Sequence, residues 1–455
     1  MASPLLLCLV LCSYYSIVHG GGDDSFVTVP TSSFEPNPIC SEERVTLDKN
    51  NSAIVSLPLV HRHGPCAPSP STDKPTFADT LRRSRARLNY TANVAPTGLG
   101  SHGDVKASIP AHLGSSLNSL EYVVTVSFGT PAVSRVVVID TGSDLSWLQC
   151  KPCNPGECTA QKDPLYDPSH SSTYSSVPCV SDPCKKLTAD VYSNGCTSNG
   201  KQCGFLISYA DGTSTSGVYS KDKLTLAPGV VVKNFYFGCG RDKHTVSGLY
   251  DGLLGLGRLS ESLGAQYGGT VSYCLPAVSS KRGFLALGSG RNPSGFQFTP
   301  MGSVPGQPTF ATVKLAGITV GGKKLNLRPS AFEGGMIVDS GSIITGLQST
   351  AYGALRSAFR EAMKAYRLVP NDQLDTCYDF KGHNNVVVPK ISLTFTGGAT
   401  INLDVPNGIL VNGCLALADS GLDSTTGVLG NVNQRTFEVL FDTSSSKVGF
   451  RANAC

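Results

Sequence analysis

The sequence predicts an all-β chain of two related lobes, each barrel-like, with a site in the cleft between them. Two observations carry this. Forty-nine glycines and 28 prolines against only 15% charged residues favour many short strands joined by turns and leave little room for long amphipathic helices. The second is an internal repeat, VVVIDTGSDLSW at Val136–Trp147 returning as MIVDSGSIIT at Met336–Thr345. At 455 residues the chain suits two domains of ordinary size with appendages.

Residues 1–20 read as a secretory signal, with an apolar run from Leu5 to Cys12 and small residues near Gly20, although no Lys or Arg precedes the run. No other run approaches the roughly 18 to 20 apolar residues that span a bilayer. The sequence ends at Cys455 with neither a lipid-anchor tail nor a retention tetrapeptide, so no membrane anchor is expected. Residues 21–115 read as a removable prosegment. They hold scattered Pro and Ser, the sequons at Asn50 and Asn89, and the basic run LRRSRARLNY with Arg82, Arg83, Arg85 and Arg87. That run is either a solvated basic face or a short helix lying across an acidic cleft. In the second case, protonating the acids would loosen it.

The lobes are expected at residues 116–302 and 303–455. In the first, EYVVTVSFGT alternates as a half-buried strand, SRVVVID is continuously apolar, and GVYSKDKLTLAPGVVVKNFYFGCG reads as a hairpin turning at Pro228 and Gly229. In the second, Ser349–Tyr366 carries apolar residues at helical spacing. The repeat extends further. Asp140-Thr141-Gly142-Ser143 is followed by DGLLGLG at Asp251–Gly257, and Asp339-Ser340-Gly341-Ser342 by GVLGNV at Gly427–Val432. Each half thus pairs a strand ending in Asp-hydroxyl-Gly-hydroxyl with a later apolar-apolar-Gly, where a close backbone crossing would exclude a Cβ. A third copy, Asp419-Ser420-Gly421, has Leu422 in the fourth place and reads as an ordinary turn.

Sixteen cysteines point to disulfides in an exported chain. Cys8 and Cys12 fall in the signal and Cys40 and Cys66 in the prosegment, which leaves twelve for the lobes. Cys150-x-x-Cys153 has a zinc-knuckle spacing, but no His pair follows at ligand distance. HRHGPC at His61–Cys66 could hold a metal only within the removable segment, so neither a metal nor another cofactor is expected. A formal charge of +4 with no basic run interleaved with aromatics gives no reason to expect nucleic acid as a partner.

Two acidic turns meeting at the seam between the lobes have a chemical use. Hydrolysing an amide without a metal or covalent nucleophile needs one group to take a proton from water and another to give one. Two adjacent carboxylates do both, because they cannot both ionise and so share a proton. The neighbours then acquire roles. Gly142 and Gly341 let the turns approach, Thr141 and Ser340 can bond into the opposite turn, and Ser143 and Ser342 can donate to the carboxylates. ISYADGTSTSGVY reads as a hairpin with Asp211 and Gly212 at its tip, which suits a mobile lid.

These motifs resemble the pepsin-type aspartic endopeptidases, specifically the plant secreted branch typified by nepenthesins, over roughly Glu121–Cys455. The resemblance rests on VVIDTGSDLSW, SYADGTSTSG, FGCG, DGLLGLG, IVDSGSIIT, VLGNV and VGF, and LPLVHRHGPCAP is similar to the prosegment of plant members. It implies a bilobal pepsin-like fold with Asp140 and Asp339 as the catalytic pair. It further implies Tyr209 as the flap tyrosine bonded to Trp147, with Asp211, Gly212 and Thr213 contributing to the flap. By the same resemblance, the disulfides are Cys150–Cys153, Cys158–Cys239, Cys179–Cys203, Cys184–Cys196, Cys274–Cys455 and Cys377–Cys414.

The expected function is a secreted aspartic endopeptidase made as a zymogen. It would take an extended peptide or protein substrate, bind its own prosegment, and work as a monomer in the extracellular space or apoplast, with the vacuole as the alternative. The chain lacks the saposin-like insert of the vacuolar type. The competing expectation is a catalytically silent protein on the same fold, like the plant xylanase inhibitors and dermal glycoproteins. Retention of Asp140, Asp339 and Tyr209 favours the enzyme.

Overall fold

A computed structural model describes residues 25–31, 39–41, 54–68, 122–153, 158, 161, 163–189, 192–193, 195–209, 214–244, 250–278, 281–288, 293–405 and 408–455. The expected signal, the basic run, both sequons and the flap residues Asp211, Gly212 and Thr213 lie outside them. No helix of the described residues is long and apolar enough to cross a membrane.

Strands dominate, as the composition predicts. The apolar run expected at SRVVVID forms Val133–Asp140, and the alternating one forms Tyr122–Phe128, paired antiparallel with it from Val123↔Val138 to Phe128↔Val133. The hairpin forms as Ser214–Ala227 and Val230–His244 around the predicted turn. The long helix covers Ser349–Ala362, four residues short of the predicted end. There the chain tightens into i→i+3 bonds, Lys364 N–H to Glu361 O and Tyr366 N–H to Met363 O, and Arg367–Val369 leaves as a strand paired with Cys377–Asp379.

The repeat is realised as two copies of one strand arrangement. In the N-terminal half, Gly252–Gly255 runs parallel to Val133–Asp140 and antiparallel to Trp147–Gln149. In the C-terminal half, Gly427–Leu429 runs parallel to Met336–Val338 and antiparallel to Thr345–Leu347. The glycines that close these crossings are required. A Cβ on Gly255 would stand 2.1 Å from the Asp144 carbonyl oxygen, and one on Gly430 2.5 Å from that of Ile343. The halves are also joined, because Thr270–Cys274 pairs with Glu438–Asp442 and so carries the C-terminal strands into the sheet of the first half.

One strand comes from the segment expected to be removed. Val55–His61 lies within the same sheet, paired antiparallel with Arg282–Leu287 over six residues and with Tyr122–Val123 over two. Its Leu57 and Leu59 are buried in the main core.

The disulfides correct four expected pairings. In place of Cys150–Cys153 and Cys158–Cys239, Cys150 pairs with Cys239 and Cys153 with Cys158. Trp147–Gln149 lies parallel to Val230–His244, with Leu148 opposite Cys239 and Cys150 N–H bonded to Gly240 O, so these two cysteines meet. In place of Cys179–Cys203 and Cys184–Cys196, Cys184 pairs with Cys203 and Cys179 with Cys196. The physical sorting is by depth: Cys184 and Cys203 are buried, whereas Cys196 is exposed. Cys274 pairs with Cys455, Cys377 with Cys414, and, within the upstream segment, Cys40 with Cys66.

Candidate active site

Val133–Asp140 is buried along its last four residues, the first three of them β-branched, and Met336–Val338 is buried throughout. Each ends where an acid begins a turn, so the core fixes where the carboxylates stand. Around Asp140, Gly142 N–H donates to Oδ1 at 3.1 Å and the Ser143 hydroxyl to Oδ2 at 2.6 Å. Around Asp339, Gly341 N–H donates to Oδ1 at 2.8 Å and the Ser342 hydroxyl to Oδ2 at 2.7 Å. The two cradles match atom for atom.

The turns lock together across the seam. Ser340 N–H donates to Thr141 Oγ1 at 2.9 Å and Thr141 N–H to Ser340 Oγ at 3.2 Å, while the Thr141 hydroxyl reaches Val338 O at 3.3 Å. The structure thus brings together Asp140, Thr141, Gly142, Ser143, Asp339, Ser340, Gly341 and Ser342. Both acids are almost wholly buried, at 0% and 2% exposure, with hydroxyl and amide donors on their oxygens. A carboxylate so supplied is held in place by charge-assisted bonds despite its burial.

Trp147 and Tyr209 meet as well. The indole Nε1–H donates to Tyr209 Oη at 2.6 Å, and both rings are buried in one cluster with Leu145, Tyr219 and Tyr250. From the upstream segment, Val60 joins that cluster, and buried Arg62 places its guanidinium 4.9 Å from the centre of the Tyr250 ring, within cation–π range. Asp419, in the third D-S-G, accepts from Gly421 N–H and the Ser349 hydroxyl at an exposed turn beside the helix start.

Several supporting residues escaped the sequence reading. Ser146 Oγ accepts from Gly255 N–H at 3.1 Å, and Thr345 Oγ1 from Gly430 N–H at 3.0 Å. Both stand six places after their acid, and that common offset was the available signal. In the C-terminal half, Asn431 Nδ2–H donates to Ser340 O at 2.9 Å and Gln434 Nε2–H to Asp339 O at 3.2 Å. Tyr273 donates to Gln434 from below, and its phenol is held well above its ordinary pKa by burial, then by the charge of Asp339. In the N-terminal half, Asp144 accepts from the Tyr192 hydroxyl and Leu259 N–H, each at 2.8 Å. Tyr192 is likewise raised by burial and then by Asp144. No common offset marks these residues, because each half solves its support differently.

Among the described residues, no group of three His, Cys, Asp or Glu is placed to hold a metal ion. Residues 122–289 match the family profile described as "Xylanase inhibitor N-terminal", and residues 312–452 the one described as "Xylanase inhibitor C-terminal". The chain is 37% identical to Aspartyl protease AED1 of Arabidopsis thaliana over 95% of its own length and 92% of that protein's. It is 35% identical to aspartic proteinase nepenthesin-2 of Nepenthes gracilis, over 74% and 78%. Among solved structures, edgp superposes with a TM-score of 0.58 at 21% identity over 75% of this chain and 94% of that one. Soybean basic 7S globulin superposes with a TM-score of 0.57 at 18% identity, over 72% and 90%.

Proposed function

The chain belongs to the pepsin-like aspartic protease family, and on that premise we propose that it is a secreted aspartic endopeptidase using Asp140 and Asp339 as its catalytic pair. The observation that carries the reading is the reciprocal bonding of Thr141 and Ser340 between two matched acid cradles. It supports a fixed separation of the carboxylates, which general acid–base chemistry needs. Paired carboxylates that share one proton are a behaviour for which aspartic proteases are the standard example. The ionised member takes a proton from water, the water attacks the peptide carbonyl, and the protonated member donates as the amide departs. Ser143 and Ser342 orient the carboxylates throughout. Tyr209, tied to Trp147, lies two residues before Asp211 and positions the lid that excludes water.

In this reading residues 1–20 direct export, and the chain is made as a zymogen restrained by residues 21–115. Packing of Val60 and Arg62 around the Trp147–Tyr209 cluster supports that restraint. Seven disulfides among the described residues support an oxidising destination, extracellular or vacuolar. A second reading, a binding protein on the same fold, draws on the inhibitor descriptions of the two matching profiles. A digest of proteome-derived peptides at acid pH separates them. Cleavage blocked by pepstatin and lost in Asp140→Asn is expected, and no cleavage under any activating condition would favour the binding protein.

A further inference from the structure

Two strands upstream of residue 69 are built into the body of the protein. Val55–His61 sits inside the main sheet. Phe26–Pro30 lies elsewhere, in a two-stranded sheet with Asn385–Pro389. Five residue pairs run from Phe26↔Pro389 to Pro30↔Asn385. The ladder extends at both ends, through Lys390 N–H to Ser25 O at 2.8 Å and Thr31 N–H to Asn384 O at 3.0 Å.

The seat is shaped for this strand. Val27 and Val29 pack against the main core, where Val386 and Val388 are fully buried. Gly321 and Gly322, both left-handed at φ +51° and +75°, turn between Leu315–Val320 and Lys323–Lys324. A Cβ on Gly321 would stand 3.0 Å from the Phe26 ring, and one on Gly322 2.2 Å from Ser25 Oγ. Side chains there would push the Ser25 hydroxyl aside and crowd the Phe26 ring.

The covalent connections complete the picture. Cys40 and Cys66 pair with each other, and every other disulfide among the described residues joins two cysteines beyond residue 149. A cut between residues 69 and 121 would therefore leave residues 25–68 joined to the remainder by no disulfide among the described residues, and by the two strand ladders instead. A five-residue ladder alone is weak. Joined through one segment to the six-residue ladder of Val55–His61, it rebinds at a high effective concentration.

We infer that Asn385–Pro389 is a strand-docking edge, separate from the acid pair, that takes a short extended peptide with β-branched residues at alternate positions. Its resident ligand, Phe26–Pro30, keeps the disulfide-closed segment 25–68 on the enzyme after the chain is cut. The inference rests on the zymogen reading only for the cut, and its test reads no catalysis. In full-length Asp140→Asn protein, a recognition sequence for a site-specific protease is placed within residues 95–105, and the cut protein is run on gel filtration with mass spectrometry.

The segment is expected to co-elute one-to-one with the remainder. V27D/V29D, and independently Gly322→Val on the receptor side, should speed its dissociation at least tenfold. A fluorescent SFVTVPT peptide should bind V27D/V29D and not the occupied parent. Separate elution of the parent segment overturns the inference. So does unchanged dissociation in both variants, or absence of peptide binding to V27D/V29D when circular dichroism shows it folded.

Discussion

At the scale of single residues, Asp251 ties the fold to pH. Its carboxylate is buried, accepts from Val136 N–H at 2.8 Å and Gln161 Nε2–H at 3.1 Å, and is pushed up to about 6 by that burial. A carboxyl that ionises later in the folded chain than in the unfolded one favours folding at low pH. As pH rises through the ordinary carboxylate value, the unfolded chain gives up its proton first, and stability falls until the folded group also ionises near 6. The shift corresponds to about 3 kcal/mol. Asp251→Asn is expected to flatten the stability profile across that window, measured by urea unfolding at stepped pH. The seam offers a second residue-scale prediction. Thr141→Val leaves the buried Ser340 N–H without its acceptor, at a cost of about 1–3 kcal/mol, and loosens the spacing of the acids. A lower Tm and a shifted acid limb of the kcat/KM profile should appear together. Asp140 and Asp339 were legible as a pair because the four-residue turn repeats. Ser146 and Thr345 were not, since a hydroxyl six places on has no evident partner until the topology brings Gly255 and Gly430 beside it.

At the scale of elements, strands and hairpins were legible wherever apolar residues alternated or ran unbroken, because burial imposes that pattern whatever the neighbours are. Pairings between cysteines were not, since they depend on which strands become neighbours. Cys150 finds Cys239 because a parallel ladder runs between Trp147–Gln149 and Val230–His244, and nothing local records that ladder. The bonds also differ in what they hold. Cys274–Cys455 closes a loop of 181 residues and pins the chain end, whereas Cys153–Cys158 spans five. By the chain-entropy argument their losses cost about 5 and about 2 kcal/mol. The Cys274→Ala/Cys455→Ala protein should therefore unfold at markedly lower denaturant than the Cys153→Ala/Cys158→Ala protein, in one urea series. Trp147 and Tyr209 share a side-chain tie of their own, the Trp147 Nε1–H to Tyr209 Oη bond, which in the proposed function positions the lid. Tyr209→Phe removes the acceptor and leaves a buried indole N–H unpaired. The orphaned donor lowers Tm as well, so the reading is taken where circular dichroism shows the variant fully folded; a fall in kcat/KM of about tenfold there, equivalent to roughly 1.4 kcal/mol of lost positioning, would place the bond in lid control.

At the scale of the whole molecule, the two halves repeat one crossing of strands, yet the main sheet is completed from outside both. Val55–His61 fills the space between Arg282–Leu287 and Tyr122–Phe128. Composition, position and the likeness of LPLVHRHGPCAP to plant prosegments place this stretch in a removable segment, and none of them reveals that Leu57 and Leu59 alternate into the same core as Val124 and Val126. Without it, Arg282–Leu287 loses a six-residue ladder, and buried backbone groups so exposed must find water or another strand. Leu57 and Leu59 alone remove about 4 kcal/mol of apolar burial at roughly 2 kcal/mol each, a large share of a typical 5–15 kcal/mol stability. A chain begun at residue 69 should therefore lack a cooperative unfolding transition, with near-ultraviolet dichroism weaker than that of the full chain. Supplying residues 25–68 as a separate disulfide-closed peptide during refolding should restore both, because the segment carries its own crosslink and its pairing partners stay in the larger piece. A truncated chain that unfolds as sharply as the intact one would mean that the gap is closed by residues after 68, and that the upstream strand is a replaceable occupant of the sheet.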